Sequence, residues 1–320
     1  MRKTLRQLNV LRVLGAIPAP VPPVPTVAPL RFTNNTDTPT TIGFSTFDEH
    51  VNIEYRIVGT ETWSSFYATV TIDSGEAVEF RGNNESRNEA LGSFTIAGSD
   101  VDASGSVMSL IYGESLNEYN NLVIPNVRAF KELFAGSTHL LTPPELPAVE
   151  LTQQCYEDMF ADSGITTAPE LPAVDMKERC YAGMFRLCSA LTTPPQLPST
   201  TLLRACYSSM FAGSGITTPP SLPATTLITE CYSSMFYECA NLTKAPDLPA
   251  QTLADHCYSL MFLRSGVDRI KVDFVSWHVT ATQNWLYGVL ATGTFRCPAA
   301  LDTSIRDASH IPAGWTIETF

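Results

Sequence analysis

Six near-copies of one unit, spaced 26, 25, 26, 25 and 26 residues apart, fill the chain from Ala129 to Phe274. Each copy opens on a small residue and an aromatic: Ala129-Phe130, Cys155-Tyr156, Cys180-Tyr181, Cys206-Tyr207, Cys231-Tyr232 and Cys257-Tyr258. Three residues past the aromatic stands Leu133, Met159, Met184, Met210, Met235 or Met261, and a Phe always follows. A Leu-Pro closes the unit at Leu146-Pro147, Leu171-Pro172, Leu197-Pro198, Leu222-Pro223 and Leu248-Pro249. A fixed period of this size is the signature of a solenoid, in which each unit buries its apolar face only against its neighbours.

Within a unit, Leu227, Cys231, Tyr232, Met235 and Phe236 repeat by four and one, the spacing of one helical face. The pattern predicts a helix of about ten residues, too short to be stable alone and so held by stacking. Glu150, Asp175, Thr201, Thr226 and Thr252 precede these runs. All but the first are good N-cap types, and Asp175 with Glu178 resembles a capping box. The chain then turns, often at Gly136, Gly164, Gly213 or Gly215, and points Leu140, Ile165, Leu191, Ile216 or Leu242 inward. The returning segment, as in Thr193 to Pro198, holds too many prolines for a long strand. The column Met159, Met184, Met210, Met235 is expected to be buried. Glu157, Asp158, Ser208, Ser209, Ser233 and Ser234, between the Tyr and the Met, are expected to face outward as the ligand-binding surface.

The run Cys-Tyr-x-x-Met-Phe-x-x-Cys-x-x-Leu with its later Leu-Pro resembles the BspA-type leucine-rich repeat, whose usual form is Ala-Phe-x-x-Cys-x-x-Leu followed by Ile-Pro. The likeness covers about half of the chain and departs from the family by extra residues and a Pro pair in each unit. Tyr55-Arg56, Thr62 to Phe66 and Val78 to Asn84 are similar to the module that precedes such repeats in proteins of gut Bacteroidales and their phages. Asn284 to Val289, Thr292 to Phe295 and Ile311 to Thr316 resemble the ending of the same proteins. The resemblance implies an α/β leucine-rich-repeat-like solenoid, a horseshoe-like or flat binding scaffold displayed on a cell or particle, and no catalysis.

The rest of the chain falls around the repeats. Residues 1–29 form a basic, Pro-rich arm. Arg2, Lys3, Leu5, Arg6, Leu8, Leu11 and Arg12 are its candidate anchoring residues, and Pro18 to Pro29 is a polyproline II spacer. Residues 30–118 carry seven short alternating segments, the last from Ser106 to Tyr112, and read as an Ig-like β-sandwich. Residues 119–274 are the solenoid. In residues 275–320, Trp277, Trp285, Tyr287, Phe295 and Trp315 gather as a C-terminal cap. The expected fold class is thus multidomain: an all-β sandwich followed by an α/β repeat solenoid with a cap.

Charge narrows the partners. The arm holds four cations and no acid before residue 29, so the remainder carries −16 of the −12 total. An acidic body repels phosphates, and nucleic acid is not expected as a partner. No apolar run is long enough to span a bilayer, so no membrane insertion is expected. The apolar run after Met1-Arg2-Lys3 is broken by Gln7, Asn9 and Arg12, which argues against a cleaved export signal. Eight cysteines lack any C-x-x-C spacing, and helices stacked about 8–10 Å apart would hold the repeat cysteines too far apart for disulfides. Reduced, buried thiols are expected.

No catalytic set is visible among His50, His139, His256, His278 and His310, and the His256-Cys257 pair is wrongly oriented for a helix. Asp100-x-Asp102-x-Ser104-Gly105 copies the first half of a calcium loop, but Ile111 stands where its bidentate Glu belongs. No enzyme, cofactor or metal is expected. These features predict a virion structural protein, a phage fibre or capsid decoration protein on the virion surface. Its arm would anchor it to other virion proteins of capsid or tail, and its repeats would meet a host cell-surface glycan or protein. A homo-oligomer is expected. The alternative is a bacterial cell-surface adhesin of the same repeat family.

Overall fold

A computed structural model describes residues 27–46 and 48–320. The chain builds a β-sandwich that runs without a break in its core into a solenoid.

The sandwich strands are β1 (Leu30–Thr33), β2 (Thr40–Ser45), β3 (Ile53–Ile57), β4 (Ser64–Ser65), β5 (Thr69–Ile72), β6 (Ala77–Gly82), β7 (Ser93–Ala97) and β8 (Val101–Ser104). One sheet has the order β4-β3-β6-β1-β8-β9 and the other β5-β2-β7. The added strand β9 (Leu140–Thr142) comes from the first repeat and pairs parallel with β8. Alternation sets the faces. Phe32, Ile53, Val78 and Phe80 are buried between the sheets, while Arg31, Glu54, Arg56 and Arg81 point the other way. The predicted strand from Ser106 to Tyr112 is instead a turn and a four-residue helix, α1 (Ser109–Tyr112). Every residue of that segment is buried, which erases the alternation a half-buried strand needs. Ser109 Oγ donates to Phe80 O and accepts from Leu30 N, both at 2.9 Å, so the segment plugs the end of the sandwich.

The predicted α/β repeat is corrected. Among the described residues α1 is the only α-helix, and none lies in the repeats. Alternate N–H groups of the Cys-Tyr-x-x-Met-Phe run leave their own coil. Tyr156 N donates to Cys180 O at 3.0 Å, Asp158 N to Ala182 O at 2.8 Å and Phe160 N to Met184 O at 3.0 Å. The N–H groups between them close local turns, Glu157 N to Gln154 O at 3.2 Å and Met159 N to Tyr156 O at 3.3 Å. A helix sends every N–H to its own residue four back. Here half of them stitch one coil to the next, as in a sheet. Glu150, Asp175 and Thr201 cap nothing and instead sit in parallel bridges between coils.

The ribbon turns back every four residues through a left-handed residue. Arg128, Glu132 and Gly136 begin three columns, continued by Gln154, Asp158, Asp162 and by Arg179, Gly183, Leu187. All sixteen non-glycine residues with positive φ among the described residues belong to these columns or their continuations, at φ 50–63°. This four-residue period is why the buried set looked helical. Met159, Met184, Met210, Met235 and Met261 are fully buried, as the spacing predicted, although no helix carries them.

The coils therefore lie at sheet spacing, roughly 4.7–4.9 Å, and their aromatic rings form two ladders. Phe130, Tyr156, Tyr181, Tyr207, Tyr232 and Tyr258 stack with centroids 5.7, 5.8, 5.9, 5.9 and 6.2 Å apart. Phe134, Phe160, Phe185, Phe211, Phe236 and Phe262 make the second ladder at 5.4–5.9 Å. Phe94 of the sandwich is its first rung, stacked 5.8 Å from Phe134 and meeting Phe32 edge to face at 5.3 Å. Phe94 N also donates to Leu133 O at 2.7 Å, so the sandwich serves as the first coil's partner.

Past Phe274 the motif dissolves but the winding continues. Trp277 Nε1 donates to Asp302 O (2.7 Å), Trp285 Nε1 to His310 O (2.9 Å) and Trp315 Nε1 to Leu290 O (2.8 Å), each to a residue 25 positions away. Trp285 stands in the Met position yet lies 6.3 Å from both Tyr258 and Phe262, closing both ladders with one ring. On the proline side, β10 (Lys244–Leu248), β11 (Arg269–Val272), β12 (Gly293–Cys297) and β13 (Trp315–Thr319) form a parallel four-stranded sheet, about three turns of β-solenoid. Earlier coils have too many prolines on that side to donate into a ladder.

All eight cysteines are buried free thiols. The predicted outcome holds, but the distance argument behind it does not, since neighbouring coils are far closer than packed helices. Burial pushes the Cys155, Cys206 and Cys257 thiols up to about 12.

Candidate interaction surfaces

Two columns run along this side of the solenoid, partly exposed at Ser208, Ser209, Ser233 and Ser234 and buried at Glu157, Ala182, Gly183 and Ser259. One is Lys131, Glu157, Ala182, Ser208, Ser233, Ser259; the other is Glu132, Asp158, Gly183, Ser209, Ser234, Leu260. The predicted outward residues Asp158, Ser208, Ser209, Ser233 and Ser234 are all half-buried on this face, brought into register by the winding. The serines also work internally. Ser208 Oγ reaches Ser233 O at 3.3 Å, Ser233 Oγ reaches Ser259 O at 3.2 Å, and Ser259 Oγ reaches Gln283 O at 3.4 Å.

Glu157 is not an outward residue. It is 3% exposed, and its carboxylate accepts from Arg179 Nε at 3.0 Å and Gln154 Nε2 at 2.6 Å, with Lys131 Nζ at 3.4 Å. Burial weakens it as an acid, but Arg179, Gln154 and Lys131 together outweigh burial and hold the carboxyl below its usual range. Asp158 holds Arg186 at 3.2 Å. The candidate anchor residues Arg2, Lys3, Leu5, Arg6, Leu8, Leu11 and Arg12 lie outside the described residues.

A second surface, which sequence reasoning missed, lies on the outward face of the six-stranded sheet. Cross-strand neighbours pair charges there: Glu54 with Arg81 at 2.7 Å, and Glu79 with Arg56 at 2.7 Å and with Arg31. Glu79 is 3% exposed; burial opposes its ionisation, but Arg31 and Arg56 prevail and keep its pKa low. Trp63, on the loop before β4, lies over both Arg56 and Arg81, with guanidinium carbons 4.7 and 4.3 Å from the ring centroid. Arg81 Nη1 also reaches Glu114 at 2.9 Å, just past α1. Two clefts of about 580 and 410 Å³ meet at Arg81 and Glu114. The alternating charges of β3 and β6 were visible in the sequence, but their register, which makes a cluster of them, was not.

Other candidate chemistry is not assembled. Asp100 Oδ1 accepts from His139 Nδ1 at 2.8 Å, and Asp102 lies in β8. An extended strand does not wrap an ion as a calcium loop does. Among the described residues no group of three or more His, Cys, Asp or Glu side chains is placed to hold a metal. Cys257 points into the core while His256 is a left-handed ribbon residue, so they form no nucleophile–base pair. No helix among the described residues is long and apolar enough to cross a membrane. No protein-family model matches the chain, and neither a curated protein nor a solved structure matches it.

Proposed function

We propose that this chain is a non-enzymatic structural protein of a virus particle, a phage fibre or capsid decoration protein of BspA-like repeat character. It is held by its N-terminal arm and presents its repeat surface for attachment to the host. The observation that carries the reading is the continuous aromatic core. The ladder that starts at Phe32 and Phe94 runs through every coil to Trp285. Such a core makes the sandwich and solenoid one stiff body, with registered columns of serines along its side. Stiffness and repetition suit display and multivalent contact; they offer nothing to a reaction that needs an enclosed site.

The arm supplies the anchor in this reading. Leu5, Leu8 and Leu11 with Arg2, Lys3, Arg6 and Arg12 combine apolar surface with a charge opposite to the body, which suits acidic surfaces of capsid or tail proteins. The test is incorporation into particles. Full-length protein is expected in purified virions, and a variant lacking residues 1–26 is expected to fold but to be absent from them. Full occupancy by the truncated protein overturns the anchor. A cleaved or lipidated native N-terminus, read by mass spectrometry, would favour the bacterial adhesin instead.

A further inference from the structure

We propose that the Trp63 cleft on the sandwich is a binding site for a neutral carbohydrate. Of the clefts among the described residues, this pair joins an indole ring to a polar-walled cavity. The proline-sided groove at Pro143, Pro144 and Pro169 offers little polarity, and the hollow at Asp48, Glu89 and Glu132 has no aromatic platform.

Charge selects the class of ligand. Arg31, Arg56 and Arg81 pair with Glu54, Glu79 and Glu114, and Glu118 adds one further carboxylate to the wall of the Trp63 cleft. An anion meets guanidiniums already matched by carboxylates and is opposed by Glu118, while a cation finds that one carboxylate beside three guanidiniums. Neither gains from a strongly favourable field. A neutral polyol does gain. A guanidinium carries five N–H donors, and an ionised carboxylate has about four acceptor positions, so pairing leaves both kinds of group in reserve side by side. Adjacent sugar hydroxyls need a donor and an acceptor at such spacing. Glu114 is the most accessible partner, with its side chain 80% exposed.

The aromatic selects further. A pyranose ring has an apolar C–H face, and an indole is the largest flat apolar surface a side chain can offer it. Trp63 is half-buried and pinned by two guanidiniums, so its orientation is set before a ligand arrives. Stability alone does not call for this arrangement. The buried Glu79 already ties β1, β3 and β6 together, whereas the Arg81–Glu114 pair reaches an exposed carboxylate, and such pairs contribute little.

The site is separate from the repeat surface, and its test is separate from particle incorporation, so either proposal can fail without the other. The described chain, with its arm, is titrated with maltohexaose, cellohexaose, mannohexaose, xylohexaose and chitohexaose, followed by saturation-transfer NMR and tryptophan fluorescence. Sialyllactose and a glucosamine hexamer are the charged comparisons. At least one neutral oligosaccharide is expected to bind. Trp63→Ala should weaken it by about tenfold or more, equal to about 1.4 kcal/mol, Trp63→Phe by less, and Glu114→Gln severalfold with an unchanged melting temperature. If Trp63→Ala fails to fold, Trp63→Phe and Glu114→Gln decide the matter. No binding of any neutral probe at about 10 mM, roughly tenfold beyond a millimolar dissociation constant, overturns the proposal. So does binding that ignores Trp63 and Glu114, or binding confined to the charged sugars.

Discussion

The sandwich and the solenoid solve the same problem, closing a sheet-like hydrogen-bond network over an apolar core, by opposite means. In the sandwich, distant segments pair antiparallel, such as Leu30 with Phe80, and positive φ in the described part of residues 30–118 falls on glycines alone, such as Gly75 and Gly98. In the solenoid, each coil pairs with the next copy of itself. To aim alternate N–H groups at that copy, the ribbon holds a left-handed residue every four positions. A non-glycine residue in that conformation costs about 1–2 kcal/mol, so an isolated coil is strained, and the stack offsets the strain with inter-coil hydrogen bonds and two aromatic ladders. The comparison teaches that the sandwich is stabilised by specific partners and the solenoid by repetition.

The halves should consequently differ most at alkaline pH, where only the solenoid holds buried thiols, the largest effect expected. Burial pushes Cys155, Cys206 and Cys257 to about 12, and burial pushes Cys188 and Cys239 to about 11, from an ordinary 9.0. Below pH 9 folded and unfolded chains both keep these protons, and the stabilisation is complete. Above it only the unfolded chain loses them, so stability falls with rising pH by about 1.4 kcal/mol per unit for each thiol, until the folded values are reached. Glu79 in the sandwich and Glu157 in the solenoid have the reverse sign. Their lowered pKa values stabilise both halves above the ordinary carboxylate value of 4.5, and that contribution is lost as pH falls through the folded values. Hydrogen exchange of coil amides should accelerate steeply between pH 9 and 11, after correction for intrinsic rates, and Cys206→Ala should flatten the slope by one proton. Equal alkaline loss in sandwich and solenoid amides would break the comparison.

A smaller effect tests the ladders. Tyr207 is buried between Tyr181 and Tyr232, each 5.9 Å away. Tyr207→Ala should cost about 3–5 kcal/mol, as aromatic truncations in cores do, and should loosen coils on both sides while leaving β1–β8 protected. Urea midpoints with region-resolved exchange measure this; a loss confined to one coil would mean that the stack does not act as a unit.

The smallest effect has the opposite sign. Leu187 holds φ 63° and is 45% exposed, so its side chain gives little in return for its backbone strain. Leu187→Gly should raise stability by about 0.5–1 kcal/mol, the left-handed penalty less the entropy glycine loses. A destabilised variant in the same urea measurement would show that the left-handed columns are unstrained.

The burial pattern was legible in the sequence because repetition wrote it six times. Cys180, Tyr181, Met184 and Phe185 are core residues, whatever conformation carries them. The conformation was misread because a period of four lies close to 3.6. Gly183 was the available signal: it sits inside the supposed helix, where glycine is disfavoured, and occupies a left-handed column at φ 62°. Its neighbours in that column, Glu132, Ser209 and Leu260, gave no such sign. The six sandwich segments from Leu30 to Ala97 alternate clearly and were found, whereas α1 was lost because both its faces are buried. The Trp63 cleft depends on register between β3 and β6, which alternation alone does not fix.

The unequal length of successive units has a consequence for how such a molecule changes size. Gly164, Gly215 and Gly266 recur every 51 residues, and a Cβ on each would lie 2.0–2.3 Å from the carbonyl oxygen of Thr138, Ser189 or Ala240 in the coil before. Cys188 and Cys239, also 51 apart, donate Sγ–H to Phe160 O and Phe211 O at 2.9 Å from the coils between. A short coil therefore fits against a long one as tongue against groove. Lengthening by one coil sets like against like somewhere in the stack; lengthening by two keeps every seam matched. The molecule is a gauge graduated in double steps of roughly 9.5 Å, twice the inter-strand spacing, and a lineage that needed a longer or shorter reach would be expected to gain or lose coils in pairs.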